Sequence, residues 1–372
     1  MKRRYVLLLI AVLMMATVAL GACANVPVAP APETASDGEA ATASESDTSD
    51  EVLELNIFNW STYIAPETIP NFEKEFGVKV NYDLYESNED LLAKLQAGNP
   101  GYDLIMPSDY MVEIMRNLEM LEELNHDNIP NKVNIDETFL DPAYDPGNIH
   151  CMPYQWGTMG LGYNIEATGG EIDSWSVMFD EKYAGRIAWL DDPRAVMGVA
   201  LIMLGYDINT TNPDEINEAK ELLIAQKELV AAYAPDTGQI MLAEGEVDLV
   251  LEWSGDVFQV MADDPNLRYV LPKEGAIVWN DNMCIPKGAP HKALAEKFIN
   301  YILEPQVGAD LSNFIRYGTP NKESLPLVNE DDRNNPGIYP TDEVMKNLQF
   351  IVDVGEATLL YDDAWTEVKS AQ

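Results

Sequence analysis

The chain reads Leu249-Val250-Leu251-Glu252-Trp253-Ser254-Gly255-Asp256 and, further on, Ile277-Val278-Trp279-Asn280-Asp281. In both stretches an apolar strand ends in a tryptophan, and an aspartate follows two or three residues later. Ligands bind at the ends of strands in open α/β sheets. A tryptophan face beside a carboxylate suits a small aliphatic amine, because the carboxylate accepts from N–H donors and the ring contacts methylene groups and the cation. The pattern is equally explained by tryptophans that pack in the core and by an aspartate that the helix dipole favours in a first helical turn.

Strands and helices alternate in the chain that follows residue 51. Glycines and capping serines mark the helix ends, and Ser108 is expected to cap a helix that begins at Asp109. Alternation at this spacing predicts a largely parallel sheet. The predicted elements are strands at Val52–Phe58, Val78–Tyr82 and Tyr102–Met106, and helices at Pro66–Phe76 and Asn88–Ala97.

Later elements predict a second lobe, because 372 residues are too many for one ordinary core. The strands Cys151–Tyr154 and Thr158–Tyr163 are interpreted as the crossing into it, and Ile277–Ile285 as the return. Lobes joined by crossing strands can hinge and close over a ligand. The predicted division is 51–157 with 280–325 for lobe 1, and 158–279 with 326–372 for lobe 2. The last predicted helix is Thr341–Leu348.

The composition is strongly acidic. The chain has 63 Asp and Glu against 23 Lys and Arg, which gives a formal net charge of −40. Nucleic acid is excluded as a partner, because its binding needs clustered basic side chains, and anionic membrane surfaces are disfavoured for the same reason. A negative field would steer cations toward a cleft, although a soluble extracellular surface explains the same charge.

Residues 1–50 are interpreted as targeting and tether segments. Basic residues 2–4 precede an apolar stretch, Tyr5–Leu20, that is too short for a stable membrane span. Leu20-Gly21-Ala22-Cys23 resembles a bacterial lipobox, which implies a signal peptide at 1–22, lipidation of Cys23, and a protein that works outside the cytoplasm and contacts the membrane through this lipid alone. An ordinary secretory signal cleaved nearby is the alternative. Residues 23–50 carry few large apolar side chains and are expected to form a disordered tether.

Two cysteines, Cys151 and Cys284, remain in the predicted body. Each precedes an apolar residue and a proline, so both are expected in neighbouring strands. A disulfide and two buried free thiols are equally compatible with the sequence. The histidines His126, His150 and His291 are scattered, and we predict no metal site and no cofactor.

Short motifs rich in aromatic and hydroxyl side chains recur in the body, in a fixed order, from about Leu53 to about Glu356. They are Phe58-Asn59-Trp60-Ser61-Thr62-Tyr63, Tyr85-Glu86-Ser87-Asn88-Glu89, Ala93-Lys94-Leu95, Tyr102-Asp103-Leu104-Ile105-Met106-Pro107-Ser108, Pro153-Tyr154-Gln155-Trp156-Gly157 and Tyr317-Gly318-Thr319-Pro320-Asn321. Together with the two opening stretches they resemble the spermidine/putrescine-binding proteins of polyamine ABC importers. Each motif alone is weak evidence, and the ordered set is specific.

The resemblance implies a type II periplasmic-binding-protein fold of the α/β class. Its two lobes, each a mainly parallel sheet flanked by helices, would hinge at crossing strands and close on one polyamine. The implied ligand-binding residues are the aromatic side chains Trp60, Tyr63, Tyr110, Trp253, Trp279 and Tyr317, the hydroxyls Ser61 and Ser108, and the carboxylates Asp192, Asp256 and Asp281. Asp192 is also expected to cap the helix that follows Pro193. The acid at Asp256 resembles the putrescine-binding branch more than the spermidine-binding one.

Three positions depart from the family pattern. Thr62 stands where an acid is common, Ala195 where glutamate is usual, and Ile351 where the spermidine branch has glutamine. Losing an acid weakens recognition of an ammonium group, because a desolvated amine without a carboxylate is costly. Glu252 or Asp191 would compensate if its side chain turned toward the site. The ligand therefore stays open between putrescine, spermidine and another small organic cation.

Three functions are compatible with the sequence. The first is a monomeric, lipid-anchored binding protein that delivers a polyamine to the permease subunits of an ABC importer. The second is a sensor whose closed form docks on a receptor. The third, a secreted hydrolase that uses Asp192, Asp256 and Asp281, is disfavoured because no feature marks one acid as the proton donor, and no nucleophile motif or phosphate loop occurs. We predict a binding protein and not an enzyme.

Overall fold

The computed structural model describes residues 53–371, which belong to one compact unit. The predicted signal peptide, the lipidated Cys23 and the predicted tether lie outside the described residues. Within the described part of the chain, no helix is long and apolar enough to cross a membrane.

Ten strands are described, and all of them belong to one mixed sheet. They are β1 (Glu54–Trp60), β2 (Lys79–Tyr85), β3 (Leu104–Ile105), β4 (Cys151–Asn164), β5 (Ile187–Leu190), β6 (Val230–Ala234), β7 (Leu249–Trp253), β8 (Leu267–Val270), β9 (Ala276–Cys284) and β10 (Leu348–Phe350). The order is β2-β1-β3-β9-β4-β7-β5-β6, with β10 paired to β9 and β8 paired to β4.

Two parallel groups of strands lie on either side of an antiparallel centre. β1 runs parallel to β2 and β3, as the strand–helix alternation predicts. β5 runs parallel to β6 and β7 in the second group. The central strands β4 and β9 run antiparallel to each other.

The long strand β4 joins the two groups. Residues Cys151–Met159 pair with β9, and Met159–Tyr163 pair with β7. The prediction of two separate strands here was wrong, because the segment between them continues the ladder past a register shift between Pro153 and Gln155.

Thirteen described α-helices accompany the sheet. They are α1 (Thr68–Phe76), α2 (Asn88–Gln96), α3 (Asp109–Asn117), α4 (Ile165–Thr168), α5 (Pro193–Leu204), α6 (Pro213–Gln226), α7 (Gly238–Ala243), α8 (Ser254–Met261), α9 (Lys292–Ile302), α10 (Pro305–Ile315), α11 (Glu330–Arg333), α12 (Asp342–Met345) and α13 (Thr358–Ser370). Gly77, in the left-handed conformation at φ +66°, ends α1, and the Ser87 side chain caps α2.

Two predictions about helices were wrong. Ser108 occupies the N-cap position of α3, but its side chain makes no capping hydrogen bond and instead donates to Asp281. The last helix is not the segment Thr341–Leu348, where only the short α12 forms, but α13.

The core contains a disulfide at the end of the crossing strands. Cys151 and Cys284 are paired opposite each other in β4 and β9, with Cα atoms 4.5 Å apart, and the structure joins them as a disulfide. Both residues are fully buried. The link closes a long stretch of chain and fixes one end of the strand pair that connects the two parallel groups.

Candidate functional site

A narrow cavity of about 20 Å³ lies where the loops at the ends of several strands meet. This volume has room for about one water molecule, so the surrounding side chains are drawn together and a larger molecule enters only when they move apart. All but two of the predicted ligand-binding residues line it, and one residue that was not predicted joins them. The lining residues are Trp60, Ser61, Tyr63, Ser108, Asp236, Trp253, Asp256, Trp279, Asp281 and Tyr317.

The aromatic side chains form a connected wall. The ring centroids of Trp279 and Tyr317 are 5.1 Å apart, those of Tyr63 and Tyr317 are 5.3 Å apart, and those of Trp253 and Trp279 are 5.7 Å apart, all in edge-to-face arrangements. Such contacts are favourable because the positive edge of one ring meets the negative face of another. The Trp60 ring is held by a hydrogen bond of 2.9 Å from its Nε1 to the carbonyl oxygen of Met106.

Asp256, in the first turn of α8, is a carboxylate held by hydroxyl groups. Thr62 Oγ1 donates to its Oδ1 at 2.6 Å, and the Tyr317 hydroxyl donates to its Oδ2 at 2.6 Å. Burial raises the pKa of Asp256 to about 6, although both hydrogen bonds act to lower it. The two readings of this residue are therefore compatible, because a first-turn helix acid also lines the cavity.

Asp281, on β9, is held by the side chain that failed to cap α3. Ser108 Oγ donates to Asp281 Oδ1 at 2.7 Å, and Asn88 Nδ2 donates to Ser108 Oγ at 3.0 Å. Burial raises the pKa of Asp281 to about 7 against the lowering effect of the hydrogen bond from Ser108. The hydroxyl of Tyr63, a neighbouring lining residue, is buried and has no hydrogen-bond partner among the described residues.

Asp236 was missed by the sequence reasoning. It lies in the loop that follows β6, and it accepts a hydrogen bond of 2.7 Å from Ser61 Oγ through its Oδ2. Burial, followed by the charge of Asp256, raises the pKa of Asp236 well above its ordinary value. The available signal was the same as for the predicted acids, because an aspartate follows an apolar strand within two residues.

Glu252, on β7, does turn toward this end of the cavity without lining it. Its side chain is fully buried, and carboxylate oxygens of Glu252, Asp236 and Asp256 lie within 4.8 Å of one another. Burial, followed by the charges of Asp256 and Asp236, raises the pKa of Glu252 well above its ordinary value. The other proposed compensating acid, Asp191, points elsewhere, because it accepts hydrogen bonds from Trp365 Nε1 and Lys369 Nζ of α13.

These three carboxylates are also the one group within residues 53–371 with atoms close enough to hold a metal ion. Hard divalent cations prefer carboxylate oxygens, but Ca²⁺ takes six to eight ligands and Mg²⁺ six. Three acids would leave most of that coordination to water in a buried position. The absence of a resident metal stays a prediction.

Tyr110 and Asp192 are not among the residues that line the cavity. The Tyr110 hydroxyl donates to Glu89 Oε1 at 3.1 Å, in a second hollow that Arg194 also lines. Asp192 caps α5, as predicted, by accepting from the backbone N–H of Ala195 at 2.8 Å. Burial and the nearby charge of Asp192 raise the pKa of Glu89 to about 8. The structure therefore divides the predicted site residues between two places.

The geometry of the lined cavity suits recognition of a small organic cation. Carboxylates accept from ammonium groups, and ring faces contact methylene groups and positive charge. The hydroxyls of Ser61, Thr62, Ser108 and Tyr317 all donate to carboxylates. Each carboxylate is thereby held in place before a ligand arrives, which lowers the cost of binding.

Comparisons with known proteins agree with the interpretation of this cavity as a binding site. Residues 67–338 match the family model described as bacterial extracellular solute-binding protein. The chain is 35% identical over 338 residues to the putrescine-binding periplasmic protein SpuD of Pseudomonas aeruginosa (strain UCBPP-PA14), which covers 86% of this chain and 92% of SpuD. It is 36% identical over 320 residues to the spermidine/putrescine-binding periplasmic protein of Escherichia coli (strain K12), with 86% and 92% covered.

A solved structure extends the likeness to the fold. The TpPotD lipoprotein of Treponema pallidum superimposes with a TM-score of 0.75 and 31% identity, over 85% of this chain and 99% of that one. The likeness confirms the predicted two-lobed α/β fold.

Proposed function

The chain belongs to the bacterial extracellular solute-binding proteins, and from that premise we propose that it captures a polyamine, putrescine or spermidine, and delivers it to an ABC importer. Relatives named for putrescine and spermidine binding support the ligand class. The family is one of transport proteins, and we propose no catalytic step.

The observation that carries this proposal is the combination of carboxylates and aromatic rings in one cavity. Asp256 and Asp236 accept from one ammonium group of the ligand, and Asp281 accepts from another. The methylene chain between them lies against the faces of Trp253 and Trp279. Cation–π contacts contribute roughly 0.5–2 kcal/mol each, depending on desolvation, and several such contacts with charge-assisted hydrogen bonds reach micromolar affinity, about −8 kcal/mol.

The lobe boundaries remain part of the proposal. We assign 51–157 and 280–325 to lobe 1, and 158–279 and 326–372 to lobe 2, with β4 and β9 as the hinge. Under this division the loop after β1 belongs to one lobe, and the loop after β6 together with α8 belongs to the other. Closure then brings Ser61 and Thr62 against Asp236 and Asp256.

Extracytoplasmic location follows from the family, whereas the lipid anchor at Cys23 and a monomeric state are proposals. The lipobox-like sequence supports the anchor. A sensor that binds another small organic cation would use the same cavity, and no described feature favours it over transport. The hydrolase alternative loses one of its three acids, because Asp192 does not line the cavity.

A thermal-shift panel with putrescine, cadaverine, spermidine, spermine, choline, an amino acid and a sugar tests the proposal. A ligand at a thousand times its dissociation constant adds about 4 kcal/mol to the free energy of unfolding, which raises Tm by several degrees. We expect putrescine or spermidine to raise Tm, and Trp253→Ala to reduce the rise. A rise with the sugar alone would contradict the ligand class and leave the fold assignment intact.

A further inference from the structure

Glu252 is a buried acid that no part of the capture geometry requires. It lies one residue before Trp253 on β7, with no exposed surface. Gly160 of the adjacent strand β4 is its partner in the antiparallel pairing. The Oε2 of Glu252 is close to Gly238, where an added Cβ would lie 2.5 Å away. The side chain therefore has a fitted position between β4 and α7.

The hydrogen bonds of the three clustered acids are unequal. Asp256 accepts from two hydroxyls, and Asp236 accepts from one. Glu252 accepts through Oε1 from the backbone N–H of Trp253 at 3.0 Å. The nearby backbone N–H of Gln239 also acts to lower its pKa, but Oε2 is buried without a hydrogen bond of ordinary geometry. A buried carboxylate oxygen that lacks a donor is unfavourable when the group is ionised and tolerable when it carries a proton.

No positive charge offsets the cluster. Within the described residues, no Lys, Arg or His forms an ion pair with Asp236, Glu252 or Asp256. The other titratable groups that face Glu252 are the phenols of Tyr269 on β8 and Tyr317 after α10, and both are neutral at ordinary pH. Three negative charges within 4.8 Å cannot all be sustained in a buried site without a cation.

We propose that Glu252 is a positioning residue that lets this acidic cluster hold a proton while the cavity is empty and lose it when an ammonium group binds between Asp236 and Asp256. The proposal rests on the proposed function, because the incoming cation is the amine end of the ligand. The exchange balances: the ligand arrives and stays as an ammonium ion, one O–H bond of a carboxylic acid breaks, and the proton passes to solvent.

The direction of the pH effect follows from this exchange. Burial, followed by the charges of the neighbouring acids, raises the pKa of Glu252 and of Asp236 in the empty site, and a bound ammonium group lowers both by stabilising the ionised forms. The bound state then holds fewer protons than the empty state, so binding strengthens as pH rises. Affinity changes by about tenfold per pH unit for each proton released.

The exchange also explains how the site works without an acid at Thr62. Here the hydroxyl of Thr62 donates to Asp256, and the additional negative charge comes from Asp236 and Glu252, which cluster with Asp256. Charge at this end therefore depends on the protonation state of the cluster.

Isothermal titration calorimetry of putrescine binding tests the proposal on the intact protein. Titrations at pH 6, 7 and 8, each in two buffers that are effective at that pH and differ in ionisation enthalpy, give the number of protons released. We expect about one proton per bound putrescine at pH 7 and about a tenfold fall in Kd per pH unit over part of this range. Glu252→Gln, which keeps the shape of the side chain, should bind with little proton release and a flatter pH profile. The matched control Glu244→Gln changes an exposed residue of the α7–β7 segment and should behave like wild type.

Each outcome decides the proposal. Putrescine binding by wild type without proton release, or undiminished release by Glu252→Gln, overturns it and leaves the proposed function standing. Wild type that binds none of the amines overturns both. If Glu252→Gln does not fold, the same measurement on Asp281→Asn decides, because Asp281 also has a raised pKa, of about 7: release that persists in this variant supports the proposal, and release that disappears with Asp281 overturns it. All titrations are repeated after treatment with a chelator. If the heat of ion release on amine binding then disappears, the displaced ion is a metal, which also overturns the proposal.

Discussion

Thr62 lies at φ +47° in the loop after β1, a backbone region that is uncommon for a β-branched residue. Its hydroxyl nevertheless reaches Asp256 Oδ1 at 2.6 Å. The hydrogen bond gives the side chain a defined role at the position where the sequence resemblance led us to expect an acid. The residue supplies a donor to a carboxylate instead of a charge.

Thr62→Val removes that donor and keeps the shape of the side chain. We expect putrescine binding to weaken about ten- to a hundredfold, because a hydrogen bond to a charged group contributes roughly 1.5–3 kcal/mol. Calorimetry measures the change in Kd. Thr62→Ser retains the hydroxyl and should bind like wild type, so equal affinities of the valine and serine variants would contradict the assigned role.

Asp281→Asn removes the charge at the Ser108 side of the cavity. We expect Kd for the amine to rise at least about tenfold, because truncating one partner of a buried charged pair leaves the ammonium group unpaired. Fluorescence titration of the tryptophans that line the cavity reports binding. Asp331→Asn, on an exposed residue, makes the same change in net charge and should leave Kd unchanged; a matching loss in both variants would indicate a long-range field effect.

The residues of the cavity differ in how well the sequence alone predicted them. Residues beside tryptophan or serine at a strand end were predicted, because the pattern names both the ring and the acid. Asp236 follows Ala234 and Pro235 with no tryptophan or serine beside it in sequence, and its place depends on β6 being the strand at one edge of the sheet order. Tyr110 and Asp192 have side chains suited to binding an amine, but tertiary packing placed them beside Glu89 and Arg194.

The helices and strands also differ in whether local sequence signals or tertiary packing determine them. The strand–helix alternation of the first group was predictable from apolar runs and caps. The helix α13 was missed: its N-cap position is Ala357, without a side-chain hydrogen bond, so the usual start signal is lacking. Its buried residues Tyr361, Trp365 and Val368 recur at helical spacing, and the helix packs against α5 and α6.

Gly157 of β4 supports the aromatic wall by lacking a side chain. An added Cβ would lie 2.7 Å from Trp279 Cζ2 and 2.9 Å from Tyr317 Cδ1. We expect Gly157→Ala to displace both rings, to lower the free energy of unfolding by about 1–3 kcal/mol and to weaken amine binding. Chemical denaturation and calorimetry measure the two effects.

Gly198→Ala is the matched control for this change. Gly198 lies in α5, and its added Cβ would meet only flexible or distant atoms, the nearest being Ile277 Cδ1 at 3.2 Å. Amine affinity should be retained in this variant. If Gly157→Ala bound the amine as tightly as Gly198→Ala, the wall would tolerate displacement and the close approach would have no role in binding.

At the scale of the whole molecule, the net charge of −40 predicts a kinetic effect. A negative field steers cations and raises association rates by about 10–10³, and salt screens it, with a Debye length of about 30 Å at 0.01 M and about 3 Å at 1 M. We expect the association rate of putrescine in stopped-flow to fall steeply with NaCl, and that of the monocation butylamine to fall less. Equal salt dependence would show that the field does not guide the ligand.

The fold class was predictable at this scale because it depends on the order of elements more than on their exact ends. Strand–helix alternation on both sides of a long crossing segment is a coarse feature, which single errors such as the split of β4 do not change. The cavity was less predictable, because it combines loops after β1, β6 and β7, and their meeting is a property of the sheet order.

Closure of the two proposed lobes depends on hydrogen bonds that cross the cavity. Ser61 Oγ donates to Asp236 Oδ2 at 2.7 Å, and Thr62 Oγ1 donates to Asp256 Oδ1 at 2.6 Å. Under the proposed boundaries both bonds join one lobe to the other, so opening about β4 and β9 would break them. A ligand that binds between the same groups shifts the population toward the closed form, because its contacts exist only there.

Small-angle X-ray scattering measures this population shift. We expect saturating putrescine to reduce the radius of gyration of wild type. The double variant Ser61→Ala/Thr62→Val should be more open at the same ligand concentration, because it lacks two of the hydroxyl donors that cross and keeps the one from Tyr317, whereas Glu244→Gln should follow wild type. A radius that is unchanged by ligand in wild type would mean that the cavity is rigid. The crossing strands would then act as a fixed support, and entry of the amine would have to occur through local motion of the loops after β1 and β6.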